Sequence, residues 1–264
     1  MSNQGHGATL EWSATESTGQ RGPFHALLPV RKRGHMERKI TLILGTNRKG
    51  TTYRIARMLT DELGGTVTEI LLPRDFAPYC VGCGLCFRKG ETFCPHAELL
   101  RPITEAIDDA DVLVLASPVY VYHVTGAMKN LLDHYGWRWM LHRPQERMFT
   151  KQAVAVTTAA GGGVKSTLKD MTDSLSFWGV GRIQTIGMAV YAPSFEEMTK
   201  KRQEKAERLV HAAAEDIRRH AGRVKPSLRT RAFFHLYRKA ILPRMKKIDQ
   251  DYWHEKGWDR STPW

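Results

Sequence analysis

The chain alternates short apolar runs with stretches whose apolar residues recur every three or four positions. Ile40–Leu44 is the first run, and Ile55, Leu59 and Leu63 follow at i, i+4 and i+8, the spacing of one helix face. Further strands are predicted at Thr66–Leu72, Asp111–Ala116, Ala153–Thr158 and Gly181–Val190. The third is apolar after its aspartate, as in a strand covered on both faces. Helices are predicted over about 97–109, Gly126–Tyr135 and Val164–Trp178. A last long helix reaches about His220, with Ser194-x-x-Glu197 as a capping box at its start.

Five strands separated by helices predict an α/β fold: a doubly wound, five-stranded parallel sheet. Such sheets bind ligands at the carboxyl ends of their strands, beside the switch in strand order. The loops after strands one, three and four are therefore where chemistry is expected. No internal repeat is visible.

Outside the alternating region the pattern changes. Residues 1–37 are rich in Gly, Ser, Thr and Arg, show no period, and are expected to be disordered. Met36 stands directly before the first strand and is a candidate start. The sheet domain spans 38–222, and a C-terminal helical extension occupies 223–264. Within the extension, Leu228–Leu242 reads as an amphipathic helix with Phe233, Phe234, Leu236, Tyr237 and Ile241 broadly on one side. Pro243 interrupts it, and Trp253, Trp258 and Trp264 follow.

The net charge of +13 invites a nucleic-acid reading, but its distribution argues against one. Residues 223–247 hold nine Lys or Arg and no acid, whereas 40–222 is nearly neutral. The aromatic side of this basic segment favours docking, to protein or to anionic lipid at the inner face of a membrane, over nucleic acid. Covering a neighbouring subunit's pocket is the plainer alternative. No apolar run approaches the roughly 20 residues of a membrane span, and no signal-peptide pattern is visible. A cytoplasmic location is expected.

Three loops carry candidate chemistry. After strand one comes Gly45-Thr46-Asn47-Arg48-Lys49-Gly50-Thr51-Thr52. Its glycines permit a tight turn, Thr46, Asn47, Arg48, Thr51 and Thr52 offer donors, and a helix N-terminus follows, an arrangement suited to phosphate. The order is neither Walker A nor the dinucleotide fingerprint, and a plain polar strand-to-helix turn is the alternative. After strand three, Ser117-Pro118-Val119-Tyr120-Val121-Tyr122 exposes backbone and two aromatics, as a flat isoalloxazine ring needs. The candidate contacts there are Pro118, Val119, Tyr120, Val121 and Tyr122. After strand four, Thr158, Ala159, Ala160, Gly161 and Gly162 form a turn that admits close backbone approach.

In this order the loops resemble those of the flavodoxin-like NAD(P)H-dependent FMN reductases, over roughly residues 38–215. That family's usual pattern is a Gly-Ser-Pro-Arg-x-x-Ser-type loop, a Ser-Pro-x-Tyr segment running to Ser-Gly-x-x-Lys, and a Gly-rich turn. Here Asn47 stands where proline is usual, and Thr51 keeps the hydroxyl of the usual serine. The resemblance implies FMN as cofactor, NAD(P)H as co-substrate, and a quinone, flavin, small electrophile or protein as electron acceptor. It also implies a homodimer or homotetramer. Flavin-borne chemistry requires no catalytic side chain, and none is assigned. A non-catalytic electron carrier or redox sensor is the rival, although carriers of this fold tend to be acidic and compact. Lys129 and Asp133 have the spacing of an ion pair on a helix face. Tyr122 and His123 either face the flavin or pack on a partner.

All four cysteines lie in Cys80-x-x-Cys83-x-x-Cys86-x₇-Cys94-Pro95. Three cysteines two residues apart, with Gly82 and Gly84 letting the loop curl and a fourth before proline, fit a [4Fe–4S] cluster. The run resembles that of the iron–sulfur flavoproteins, a branch of the same fold. Zinc fits the spacing less well. A metal-free loop packed near the flavin, and a thiol switch, are the other readings.

Overall fold

Strand β1 (Lys39–Leu44) divides its side chains between two cores, because successive residues of a strand point to opposite faces. Ile40, Leu42 and Leu44 join one cluster and Ile43 the other. The computed structural model describes residues 37–264. The expectations for residues 1–36, including a start at Met36, lie outside the described residues.

After β1 the chain forms α1 (Thr51–Leu63), β2 (Thr66–Leu71), a single turn α2 (Leu85–Arg88), α3 (Ala97–Asp109), β3 (Val112–Ala116) and α4 (Gly126–His134). It continues with β4 (Gln152–Ala159), α5 (Val164–Phe177), β5 (Arg182–Ala189), α6 (Lys200–His220), α7 (Leu228–Leu236) and α8 (Lys247–Glu255). The five strands pair in parallel in the order β2-β1-β3-β4-β5, the flavodoxin-like arrangement. Helices α1 and α6 cover one face, and α3, α4 and α5 the other. β4 is buried at every position, as a strand covered on both sides must be.

In the extension the helix expected over Leu228–Leu242 is α-helical only to Leu236 and continues as a wider π turn to Ile241. Within the sheet domain observed and expected elements agree to within a residue or two, except at α6. Ser194 and Glu197 do close a reciprocal turn: Glu197 N–H donates to Ser194 Oγ at 3.3 Å, and Ser194 Oγ–H to Glu197 Oε1 at 2.9 Å. The backbone becomes helical only after Thr199, so the box closes a loop and does not cap the helix.

The switch in strand order falls between β1 and β3, and Thr125 pins it. Thr125 Oγ1 donates to Gly45 O at 2.5 Å and accepts from Met128 N–H at 3.1 Å, capping α4. Its own N–H donates to Ser117 Oγ at 3.0 Å. Gly45 is required there, since a Cβ would lie 2.7 Å from Thr125 Oγ1.

The extension folds back on the domain. Phe234, Tyr237, Leu242, Trp253 and Trp258 form a third core with Met140 and Phe149. The aromatic side of the basic segment is thus largely occupied within the chain, and Leu228 and Leu236 are its exposed large apolar residues. Among the described residues no helix is long and apolar enough to cross a membrane.

Candidate functional site

The three loops singled out in the sequence meet at the carboxyl edge of the sheet around a cleft of about 300 Å³. The first loop contributes Thr46, Arg48, Gly50, Thr51 and Thr52, the second Pro118, Val119 and Tyr120, and the third Thr158, Ala159 and Ala160. Hydrogen bonds lock them together. Thr52 Oγ1 and Thr158 Oγ1 lie 2.6 Å apart, Val119 N–H donates to Thr158 O at 2.9 Å, and Thr157 Oγ1 donates to Ser117 O at 2.6 Å.

At the floor of the first loop, α1 begins without a side-chain cap and without an acidic residue in its first turn. Its leading amides therefore point at the cleft with no internal partner, and the helix dipole adds positive potential beside Arg48. This end of the cleft suits a phosphate monoester.

Asn47 does not line the cleft. Its Oδ1 accepts from Arg74 N–H at 3.2 Å, which ties the first loop to the segment after β2. Val121 and Tyr122 also lie outside the lining. They are the central residues of a two-residue hairpin closed by Tyr120 N–H to His123 O at 2.9 Å and His123 N–H to Tyr120 O at 3.1 Å. Both have positive φ, 46° and 67°, a strained conformation for a β-branched and an aromatic residue. Three of the second loop's amides, those of Val119, Tyr120 and His123, already bond protein carbonyls, contrary to the expectation that this loop offers its backbone freely. His123 pairs through Nδ1 with Asp170 at 3.0 Å, and Lys129 pairs with Asp133.

Gly161 and Gly162 sit just beyond the lining, against the rings of Tyr191 and Tyr122. Their amides donate to no protein acceptor among the described residues. The loop after β5 closes the far wall with Val190, Ala192 and Pro193, ordinary residues that no pattern in the sequence marked. Tyr191 was likewise unmarked; it is held at φ 51° under the Arg202 guanidinium, 4.3 Å from its ring centroid.

The cysteine run forms a separate surface loop. Gly82 and Gly84 both adopt φ of 66°, in the left-handed region, and the loop curls at them as expected. Cys80 and Cys83 are exposed, and Cys86 and Cys94 half-buried. Burial pushes the Cys86 thiol up, and the charges of Cys94, Cys80 and Cys83 push it further. Buried Arg143 braces the loop by donating to Cys86 O. Two histidines absent from the sequence reading stand behind it. His96 Nδ1 lies 3.0 Å from His134 Nε2, and burial shifts His134 toward its neutral form.

An all-parallel sheet in this order, with a built cleft at its switch point, defines a flavodoxin-like α/β protein. Within that class the chain belongs to the NADPH-dependent FMN reductase family, whose model matches residues 38–195. It is an FMN-dependent NAD(P)H oxidoreductase. An iron–sulfur flavoprotein of Archaeoglobus fulgidus is 27% identical over 231 residues, covering 81% of this chain and 97% of that protein. An NADPH azoreductase of a Bacillus species is 28% identical over 126 residues, 47% of this chain and 60% of that one. Among solved structures, an FMN-dependent NADH-azoreductase of Bacillus anthracis in complex with FMN matches with a TM-score of 0.52. It is 14% identical, and the match covers 68% of this chain and 99% of that one.

Proposed function

We propose that FMN lies across the carboxyl edge with its phosphate at Thr46, Arg48, Thr51, Thr52 and the open start of α1. The ring then lies between the second loop and the third, beside Pro118, Val119, Tyr120, Thr158, Ala159 and Ala160. One observation carries this reading: three loops from distant parts of the chain line one cleft whose cationic and polar groups gather at one end. Gly45 and Gly163 hold the loops in this arrangement, since a Cβ at either would collide with Thr125 or with Val119 and push the loops apart.

When bound, FMN supplies the hydride and electron chemistry that links reduced nicotinamide to an acceptor. The chain's own part is to anchor the phosphate, to fix the ring plane and to offer the Gly161 and Gly162 amides as donors toward developing negative charge. The relatives named azoreductase, and the FMN-dependent NADH:quinone oxidoreductase of Bordetella bronchiseptica, support a small aromatic acceptor of the quinone or azo type. Exposed Tyr79, Tyr120, Val121, Tyr122 and Tyr191 support a homo-oligomer in which a second copy covers this edge. Light scattering of the purified protein checks that assembly.

Titration of purified protein with FMN, followed by anaerobic mixing with NADH and with NADPH, tests the reading. Saturable binding and bleaching of the bound flavin by at least one nucleotide are expected. Failure to bind FMN overturns it, and a bound flavin that stays oxidised under both nucleotides favours the electron-carrier alternative.

A second reading concerns the cysteine loop. The spacing of the four cysteines on one surface loop, curled at Gly82 and Gly84, supports a [4Fe–4S] cluster held by Cys80, Cys83, Cys86 and Cys94. Iron and acid-labile sulfide are expected in anaerobically purified protein, and zero for both removes the cluster.

A further inference from the structure

We propose that Cys94, His96 and His134 form a mononuclear site for a divalent ion of the zinc class, separate from the flavin cleft and sharing only Cys94 with the four-thiol set. One ligand atom from each of the three residues lies within 4.8 Å of the others. The closest pair, His96 Nδ1 and His134 Nε2 at 3.0 Å, is near the separation of two imidazoles on one tetrahedral ion at bond lengths of about 2.0–2.1 Å.

The surroundings favour a ligand role for His134 over a simple packing role. His134 Nδ1 lies 2.8 Å from Asn130 O, a carbonyl that can only accept, so the ring proton sits on Nδ1 and the lone pair on Nε2. That is the tautomer a metal needs, fixed by the carbonyl contact that typically orients ligating histidines. Phe76 packs edge-on to the His134 ring at 4.9 Å between centroids, which holds its plane. The Asn130 side chain also grips the start of the cysteine loop, with Oδ1 accepting from Cys80 N–H at 3.0 Å and Nδ2 donating to Pro78 O at 2.8 Å. One residue therefore orients the histidine and positions the loop.

Access and valence are consistent with this assignment. His134 is buried, while Cys94 and His96 are half-buried, so an ion enters from the loop side and meets the histidine at the base. A thiolate and two neutral imidazoles are a donor set of zinc type, and three protein ligands leave a fourth position open. Because Cys94 belongs to both donor sets, this ion and a four-thiol cluster exclude one another, and the mononuclear site is the one filled when no cluster is present.

Cobalt(II) is the probe, added anaerobically to the reduced, FMN-loaded full chain purified without iron. The expected result is one tightly bound ion with tetrahedral visible bands and a sulfur-to-cobalt charge-transfer band. A Cys80→Ser, Cys83→Ser, Cys86→Ser triple variant keeps both, whereas Cys94→Ser loses the charge-transfer band. His96→Gln and His134→Gln each weaken binding by at least about tenfold. His96 is half-buried, so its variant serves even if the buried His134 variant does not fold. Cobalt affinity that disappears in the triple variant and is unchanged in His96→Gln overturns the proposal. The flavin absorbance of each sample reports separately on the FMN site.

Discussion

Arg143 and Asp249 stand 106 residues apart in sequence and meet as a buried ion pair, 4% and 1% exposed. Through this pair the C-terminal extension reaches the cysteine loop. Asp249, on α8, also takes His142 Nδ1 at 3.1 Å, while Arg143 reaches Glu91 at 3.3 Å and donates to Cys86 O. Trp253 Nε1–H to His142 O at 2.7 Å and Tyr252 OH to Pro144 O at 2.6 Å fasten the same junction. The extension is a brace for the loop that carries the thiols.

Breaking this pair from one side leaves the buried guanidinium with only the half-buried Glu91 opposite it, a loss of up to about 3–5 kcal/mol. Asp249→Asn should therefore lower the melting temperature and loosen the loop. Alkylation of Cys86, slow in the parent because the thiol is half-buried and its ionisation suppressed, should speed up about tenfold or more. The rate is read by mass spectrometry of the Cys86 peptide. An unchanged rate would mean that the loop holds its shape without the extension.

Much of this architecture was legible in the sequence for a physical reason. Strands covered on both faces are dominated by apolar residues, so the runs in β1, β3 and β4 announced themselves, and the amphipathic spacing of α1 did likewise. The cationic and polar end of the cleft was legible through Arg48, Thr51 and Thr52, which line it as their place after β1 suggested. Asn47 has the same chemistry but is turned toward Arg74, a long-range choice that composition does not encode. Val190, Ala192 and Pro193 are ordinary residues placed by the edge strand and carry no signature of their own. The meeting of His96 with His134, 38 residues apart, depends on how α3 and α4 pack. The Ser194–Glu197 box shows the converse: its local hydrogen bonds formed as read, yet the helix starts later.

Gly163 is where the second and third loops touch. It holds φ of 88°, and a Cβ there would lie 2.5 Å from Val119 Cγ1 and 2.9 Å from Tyr122 Cα. Gly163→Ala should displace the second loop and weaken FMN binding at least about tenfold, about 1.4 kcal/mol. Gly64→Ala is the control: φ is 67° but the space is open, far from the cleft. Both variants should lose about 1–2 kcal/mol of stability by forcing an L-residue into the left-handed region. Only the first should release flavin, measured by the fluorescence of free FMN.

Arg48 and Asn47 are neighbours with opposite expected effects. If Arg48 meets the phosphate, Arg48→Ala should weaken FMN about tenfold or more and leave riboflavin, which lacks the phosphate, unchanged. Asn47→Ala removes the bond to Arg74 N–H and should alter the FMN-to-riboflavin preference little. Parallel titrations with the two flavins measure both ratios. Equal losses for FMN and riboflavin in Arg48→Ala would place the phosphate elsewhere.

The edge of the sheet carries a pH-dependent tie. Arg182, on β5, grips Asp216, on α6, with two bonds of 2.6 and 2.7 Å, and Gln184 adds a third at 2.8 Å. The Arg182 hydrogen bonds hold the Asp216 carboxyl below its ordinary value of 3.8, against an upward push from burial, and the charges of Arg182, His220 and Arg219 add to the lowering. The folded state therefore binds this proton less readily than the unfolded chain. The resulting stability is fully present above the unfolded value and is lost as pH falls through the folded one. Asp216→Asn removes the charge at every pH, so it should melt below the parent at neutral pH, with the gap narrowing as pH drops from about 6 toward 2. Melting temperatures of both proteins across that range decide the matter. A gap that stays constant would show that Asp216 contributes through its hydrogen-bonded shape alone and not through its charge.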